Sequence, residues 1–182
     1  MRVIAGTCKG RTLLGPKTEA IRPVLDQVKE ALFNILYNVE GLTVLDLFAG
    51  TGSVGIEALS RGARHCTFVD SSKESIPIIR RNLENCGFLA QATVLPISAG
   101  KAIAQLEDRA LPFDLIFCDP PYQERWVKKT LQKLENSLLV APNTLIIVEH
   151  HPKEPIPELS GLVLTDSRKY GQTLVSFLKK SS

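Results

Sequence analysis

The sequence predicts an α/β fold of three layers, in which a mostly parallel sheet is covered by helices on both faces. Three observations point to it: strand-like and helix-like runs alternate from Thr43 onward, a glycine-rich turn follows the first strand, and the C-terminal segment holds two strand runs split by "KYGQ". Short apolar strands joined through helices imply right-handed crossovers and hence parallel neighbours. Taken in order, "TVLDLF" is the first strand, with a helix over about 53–62; "HCTFVD" is the second, with a helix over about 72–86; "ATVLP" is the third, with a helix over about 99–107. "FDLIFCD" is the fourth, and a helix over about 124–138 leads to "TLIIVEH". In "LVLTDSRKYGQTLVSFLKK" Gly171 supplies a turn, so an antiparallel hairpin closes the sheet. Upstream, "RVIAG" and "GRTLLG" read as a small hairpin. The segment "PVLDQVKEALFNILYNV" then reads as a helix, because Pro23 suits a first turn and Val28, Leu32, Ile35 and Leu36 recur on one face.

At 182 residues and 44% hydrophobic content the chain can bury one sizeable core, which predicts a single domain over 1–182. Residues 1–40 form an N-terminal extension and residues 41–182 the core. The net charge is only +3, yet residues 1–29 carry Arg2, Lys9, Arg11, Lys17, Arg22 and Lys29 against Glu19 and Asp26. A basic tract of that kind suits phosphates, although a solvated basic face has the same composition. Cys8, Cys66, Cys86 and Cys118 are widely spaced, with no C-x-x-C pair, and read as reduced cysteines rather than a disulfide frame or zinc site. "MRVIAGTCKG" lacks a signal peptide's apolar stretch and no window is apolar enough to span a bilayer, so a cytoplasmic protein is expected.

The first strand ends in Asp46 and turns through Gly50 and Gly52, with Ser53 placed to cap the next helix. Glycine is required where a ligand must approach the backbone closely or φ must be positive. Residues 50–55 spell G-x-G-x-x-G, which admits a nicotinamide dinucleotide. Asp46, four positions before Gly50, favours S-adenosylmethionine (SAM) instead: this cofactor has no pyrophosphate, but its ammonium and sulfonium benefit from a nearby carboxylate. Asp70, at the end of the second strand, is placed to accept both ribose hydroxyls of either cofactor. Both aspartates have an alternative role as simple caps at strand ends.

The fourth strand ends in "DPPY". In an open parallel sheet ligands bind outside the carboxyl ends of the strands, where Asp46, Asp70 and Asp119 are all expected. Pro120 and Pro121 fix their own φ and restrict the residue before each, so the Asp119 carboxylate and the Pro120 carbonyl stand in a defined relation. Both are acceptors only, and together they match a nitrogen that carries two hydrogens. An exocyclic amine of a nucleobase is such a nitrogen. Two fixed acceptors orient its lone pair toward a methyl donor and stabilise the charge that develops. Tyr122 offers a face on which an unpaired base can stack, worth about 1–3 kcal/mol.

"DLFAGTG" followed by "DPPY" resembles the class I SAM-dependent methyltransferases, whose sheet is Rossmann-like. More narrowly, "RVIAGTCKGRTL", "IRPVLDQVKEALFNIL", the two central motifs and "KYGQTLVSFL" are similar in order and spacing to the bacterial RsmD group, over nearly the whole chain. The resemblance implies a methyltransferase acting on N2 of a guanine in 16S ribosomal RNA of the small subunit. It implies that Phe48, Ala49, Gly50, Thr51 and Gly52 wrap the methionine and sugar parts of SAM, with Asp46 counted among the cofactor-binding residues, and that Asp70, with Ser71 beside it, holds the ribose. It further implies that Asp119, Pro120, Pro121 and Tyr122 hold the guanine amine, and that Arg11 and Arg22 lie on the RNA face. Two departures stand out: Val24 and Leu25 replace threonines frequent in the group, and "PISAG" offers only Ser98 where an Asp or Asn commonly reads the adenine.

The same acceptor pair fits an adenine N6 amine or a protein amide, and a non-catalytic RNA-binding assembly protein is a rival from another class. Glu149, His150 and His151 invite a metal, but adjacent strand residues point to opposite faces, so no metal is expected. Trp126 is assigned to helix packing, and Lys128, Lys129, Arg80 and Arg81 to solvated helix faces. The expected partner is 16S rRNA or a small-subunit assembly intermediate, met by a monomer without a membrane.

Overall fold

A computed structural model of the protein describes residues 1–15, 23–108, 111–121 and 125–181. The elements in chain order are α1 (Pro23–Leu36), β1 (Thr43–Leu47), α2 (Ser53–Ser60), β2 (His65–Val69), α3 (Ser75–Cys86), β3 (Ala92–Leu95), α4 (Ala99–Glu107), β4 (Phe113–Cys118), α5 (Trp126–Glu135), β5 (Val140–His150), β6 (Leu162–Tyr170) and β7 (Thr173–Lys180). A single 3-10 turn, Leu89–Gln91, precedes β3. The seven strands form one sheet in the order β3-β2-β1-β4-β5-β7-β6, so the expected α/β class with a C-terminal antiparallel hairpin is what the chain adopts. Two compact units divide the chain, Met1–Pro96 and Ile97–Ser182.

In the first unit β1 pairs with β2, and β2 with β3, all parallel. Val44, Leu45, Leu47, Cys66, Phe68 and Val69 are fully buried, the environment of a strand covered on both faces. The expected N-terminal hairpin is present in short form: one antiparallel bridge joins Arg2 to Thr12, and the Val3, Gly10 and Leu13 amides donate to the Arg11, Val3 and Met1 carbonyls at 3.0, 2.9 and 3.1 Å. Glycines at positive φ, Gly6 and Gly10, curl the connection between its arms, and there α2 supplies the partners. The Glu57 carboxylate accepts the Ile4 and Ala5 amides at 2.8 and 3.0 Å; Ser60 accepts the Cys8 amide through Oγ and donates to the Ala5 carbonyl. Glu57 is wholly buried, and Lys29 at 3.3 Å and Arg61 at 2.8 Å neutralise it. A buried carboxylate needs such company, since removing one partner of a buried ion pair typically costs about 3–5 kcal/mol.

In the second unit β4 runs parallel to β5, β5 pairs antiparallel with β7, and β7 with β6. The β6–β7 connection is the two-residue loop Gly171-Gln172 with Gly171 at φ 60°, as a tight hairpin requires. Helix α5 is about one and a half turns shorter than the sequence suggests, beginning at Trp126 and ending at Glu135. Val127, Thr130, Leu131 and Leu134 bury one face while Lys128, Lys129 and Gln132 stay exposed. His150 is a satisfied core residue: Nδ1 donates to the Glu154 carbonyl at 2.9 Å and Nε2 lies 2.8 Å from the Ser176 hydroxyl. Burial holds its pKa below the usual histidine range, which favours the neutral ring this network needs.

Candidate functional site

The glycine loop after β1 is built from left-handed backbone. Phe48, Gly50 and Gly52 have φ of 84°, 56° and 78°. For phenylalanine that conformation is strained, and such strain persists only where the surroundings enforce it. Here the Phe48 and Ala49 amides both donate to the Val69 carbonyl at 2.9 Å, locking the turn onto the end of β2. The Gly52 amide closes back on the Ala49 carbonyl at 2.7 Å. A Cβ on Gly50 would meet nothing within 4 Å, so the protein's own packing leaves that side of the loop open to a ligand. This open flank fits a cofactor laid against the backbone.

Asp70, half-buried at the end of β2, reaches this loop: Oδ2 accepts the Gly50 amide at 2.7 Å and Oδ1 accepts the Ser72 amide at 2.8 Å. Each oxygen retains a second lone pair, so the carboxylate can still accept ribose hydroxyls while it pins the loop. Ser71 is exposed beside it. Asp46 is placed differently. Its carboxylate is buried, and Oδ2 accepts the Gly55 amide at 3.1 Å, inside the first turn of α2. Burial pushes its pKa up from 3.8 to about 7, opposed by the Gly55 bond and reinforced by the charge of Asp70. It holds the loop from behind. Ser53 also departs from expectation: Gly52 is the N-cap of α2 without a side-chain cap, and the Ser53 hydroxyl accepts Lys29 Nζ at 3.0 Å instead.

In the second unit, the stiff tetrapeptide begins where β4 ends. Asp119 is exposed, Pro120 buried and Pro121 exposed, so the carboxylate stands at the surface on a backbone anchored by a buried ring. Tyr122 lies outside the described residues. Ser98 is the N-cap of α4 with no side-chain cap bond; its carbonyl accepts the Lys101 and Ala102 amides at 3.0 and 2.9 Å. The α5 helix opens with Arg125 at φ 56°, its first turn held by the Val127 amide donating to Glu154 at 3.2 Å. The Lys129 ammonium sits 4.7 Å from the centre of the half-buried Trp126 ring. Among the described residues no group of three or more His, Cys, Asp or Glu side chains is placed to hold a metal ion, and no helix is long and apolar enough to cross a membrane.

Arg11 is exposed on the extension, while Arg22 lies outside the described residues. The residues that the motifs did not reveal are the buried polar ones behind the loop: Lys29, Glu57, Ser60 and Asn82. One signal existed for Glu57, a lone carboxylate in the apolar helix "SVGIEALS", which must find a cation or amides when buried.

The pattern of the family described as Conserved hypothetical protein 95 matches residues 1–179. A Bacillus subtilis protein assigned as an rRNA methyltransferase, YlbH, is 39% identical, with 99% of each chain covered. Ribosomal RNA small subunit methyltransferase D of Haemophilus influenzae is 35% identical over 86% of this chain and 81% of its own. Among solved structures, the Escherichia coli protein yhhF, assigned as a methyltransferase, superposes with a TM-score of 0.87 at 30% identity, covering 100% of this chain and 98% of its own. With the family pattern running almost from end to end and relatives of this likeness, the chain belongs to the Conserved hypothetical protein 95 family, the RsmD family of methyltransferases.

Proposed function

We propose that this protein is a SAM-dependent methyltransferase that modifies the exocyclic N2 amine of a guanine in 16S ribosomal RNA. Membership of the RsmD family carries this reading, since its relatives are named as methyltransferases of small-subunit RNA. The open, left-handed glycine loop tied to Asp70 supports SAM as the donor. In this reading residues 1–40 face the RNA and 41–182 form the catalytic core of a single methyltransferase domain. The protein acts as a cytoplasmic monomer on 16S rRNA or a subunit assembly intermediate, without a metal.

SAM supplies an electrophilic methyl on a sulfonium. The chain's own residues do the rest. Phe48, Ala49, Gly50, Thr51 and Gly52 present backbone to the methionine and sugar, with Asp70 and Ser71 at the ribose and Ser98 toward the adenine. Asp46 braces the loop and offers a carboxylate that gains from a nearby cation. The Asp119 carboxylate and the Pro120 carbonyl accept the two amine hydrogens, turn the nitrogen lone pair toward the donor and stabilise the positive charge that forms as the methyl leaves sulfur for nitrogen; the surplus proton then passes from the nitrogen to Asp119 or through it to water. Pro121 stiffens that pair, Tyr122 stacks on the base, and Arg11 and Arg22 contact phosphates.

The test feeds SAM with a labelled methyl to 16S rRNA, DNA and protein separately, followed by digestion to nucleosides or amino acids. N2-methylguanosine is the expected product. Label only in adenine, DNA or protein amide overturns the assignment. Asp119→Ala is expected to abolish transfer while calorimetry shows SAM binding little changed; undiminished turnover in that variant refutes the role of the carboxylate.

A further inference from the structure

Asn82, in the middle of α3, is completely buried. A buried amide must find partners for both its oxygen and its nitrogen. Asn82 finds them on two separate segments. Its Oδ1 accepts the Leu14 amide at 2.8 Å, and its Nδ2 donates to the Leu14 carbonyl at 3.0 Å and to the Thr51 carbonyl at 2.9 Å. Leu14 belongs to the N-terminal extension, and Thr51 is the residue between the two left-handed glycines of the loop.

That central position matters. The peptide after Thr51 is flanked by Gly50 and Gly52, which have no Cβ to limit their rotation, so a fixed hydrogen bond at the Thr51 carbonyl decides how the loop presents its backbone. Two further ties run in parallel with the amide. The Thr51 hydroxyl donates to Met1 Sδ at 3.3 Å, and Lys29 Nζ donates to both the Arg2 carbonyl at 2.7 Å and the Ser53 hydroxyl at 3.0 Å. The Met1 contact joins the start of the chain to Thr51, and Lys29, itself bonded to Arg2, joins it to Ser53.

We infer that Asn82 is a positioning residue: it sets the glycine loop for the cofactor by clamping the Thr51 carbonyl and the Leu14 peptide together, so that cofactor affinity depends on the docked N-terminal extension. The inference rests on the reading of residues 48–52 as the cofactor loop. It explains why a basic, phosphate-suited extension is stapled to α2 and α3 by buried polar groups. A ligand that holds the extension down favours the set loop, and linkage makes the effect reciprocal.

Two variants separate the clamp from mere folding. Asn82→Asp keeps volume and the acceptor for Leu14 but faces the Leu14 and Thr51 carbonyls with an oxygen. Leu14→Pro, at a half-exposed site outside the loop, removes the amide that Asn82 accepts and leaves the Leu14 carbonyl in place, while its ring fixes φ at that position and restricts Leu13. Affinity for S-adenosylhomocysteine is measured by calorimetry at a temperature where circular dichroism shows each protein folded. Losing a buried hydrogen bond of this kind predicts about tenfold weaker binding for Asn82→Asp and a smaller loss, about threefold or more, for Leu14→Pro. At saturating cofactor, kcat is expected to recover, so the defect appears in the KM for SAM. Wild-type affinity in Leu14→Pro overturns the inference whether or not Asn82→Asp folds, and so does wild-type affinity in a folded Asn82→Asp. A wild-type protein that binds no S-adenosylhomocysteine overturns the cofactor reading itself, which distinguishes the two failures.

Discussion

Asp46 gives the sharpest handle on the physics of the site. Its pKa rises from 3.8 to about 7 on folding, chiefly through burial. A carboxyl raised in this way binds its proton more tightly folded than unfolded. Its contribution to stability is therefore intact below pH 3.8, falls as pH climbs toward 7, and stays lost above that. Three pKa units at 1.36 kcal/mol each set the full loss at about 4 kcal/mol. Asp46→Asn abolishes the titration while its side-chain oxygen keeps accepting the Gly55 amide. At pH 5 the wild type has lost roughly 1–2 kcal/mol of the total, so the variant's advantage is expected to widen by about 3 kcal/mol between pH 5 and pH 8. For a chain of this length that is about 6–12 °C in Tm. Thermal unfolding of both proteins without cofactor, followed by circular dichroism across that range, reads the effect. The depressed pKa of His150 adds stability as pH rises, but it acts equally on both proteins and cancels in the difference. Wild-type and variant curves that stay parallel from pH 5 to 8 would refute a buried, proton-holding Asp46.

The remaining predictions concern the anchoring of the extension. Glu57→Gln leaves Lys29 and Arg61 facing a neutral amide in a buried site and is expected to cost about 3–5 kcal/mol in urea unfolding; a loss below 1 kcal/mol would show the cluster to be solvated. A Cβ on Gly6 would overlap the Ser60 carbonyl, and Gly6 also has φ 82°, so Gly6→Ala is expected to destabilise by about 3 kcal/mol and to speed amide exchange at Thr7 and Cys8; unchanged exchange would contradict the docking. Gly10→Ala serves as the contrast, because nothing lies within 4 Å of its Cβ and only the positive φ of 82° opposes it, about 1 kcal/mol.

The expected alternation of strands and helices, the C-terminal hairpin at Gly171, the glycine turn after β1 and the proline-stiffened end of β4 are all present in the fold, because each is written in neighbouring residues: periodicity, positive-φ glycines, fixed-φ prolines. Family membership was legible for the same reason, since its motifs are short and contiguous. Local reading went astray where a polar side chain chose a distant partner. Ser53 looked like a helix cap, yet its hydroxyl serves Lys29, 24 positions away. Asp46, read as a carboxylate for the cofactor, also accepts the Gly55 amide in the interior, a bond its place at a strand end does not announce. "RVIAG" and "GRTLLG" do pair as a short hairpin, but the amides of Ile4, Ala5 and Cys8 find Glu57 and Ser60, more than fifty residues on, which no local pattern announces. Asn82 carries no motif at all; its importance comes from Leu14, 68 positions away, and Thr51, 31 positions away, meeting at one amide. The sequence by itself determined the elements, their order and the chemistry at the strand ends, because these depend on the backbone preferences of adjacent residues. Only the tertiary structure decided which buried polar groups satisfy one another, because that requirement is imposed by burial, and what is buried against what exists only once the chain has folded.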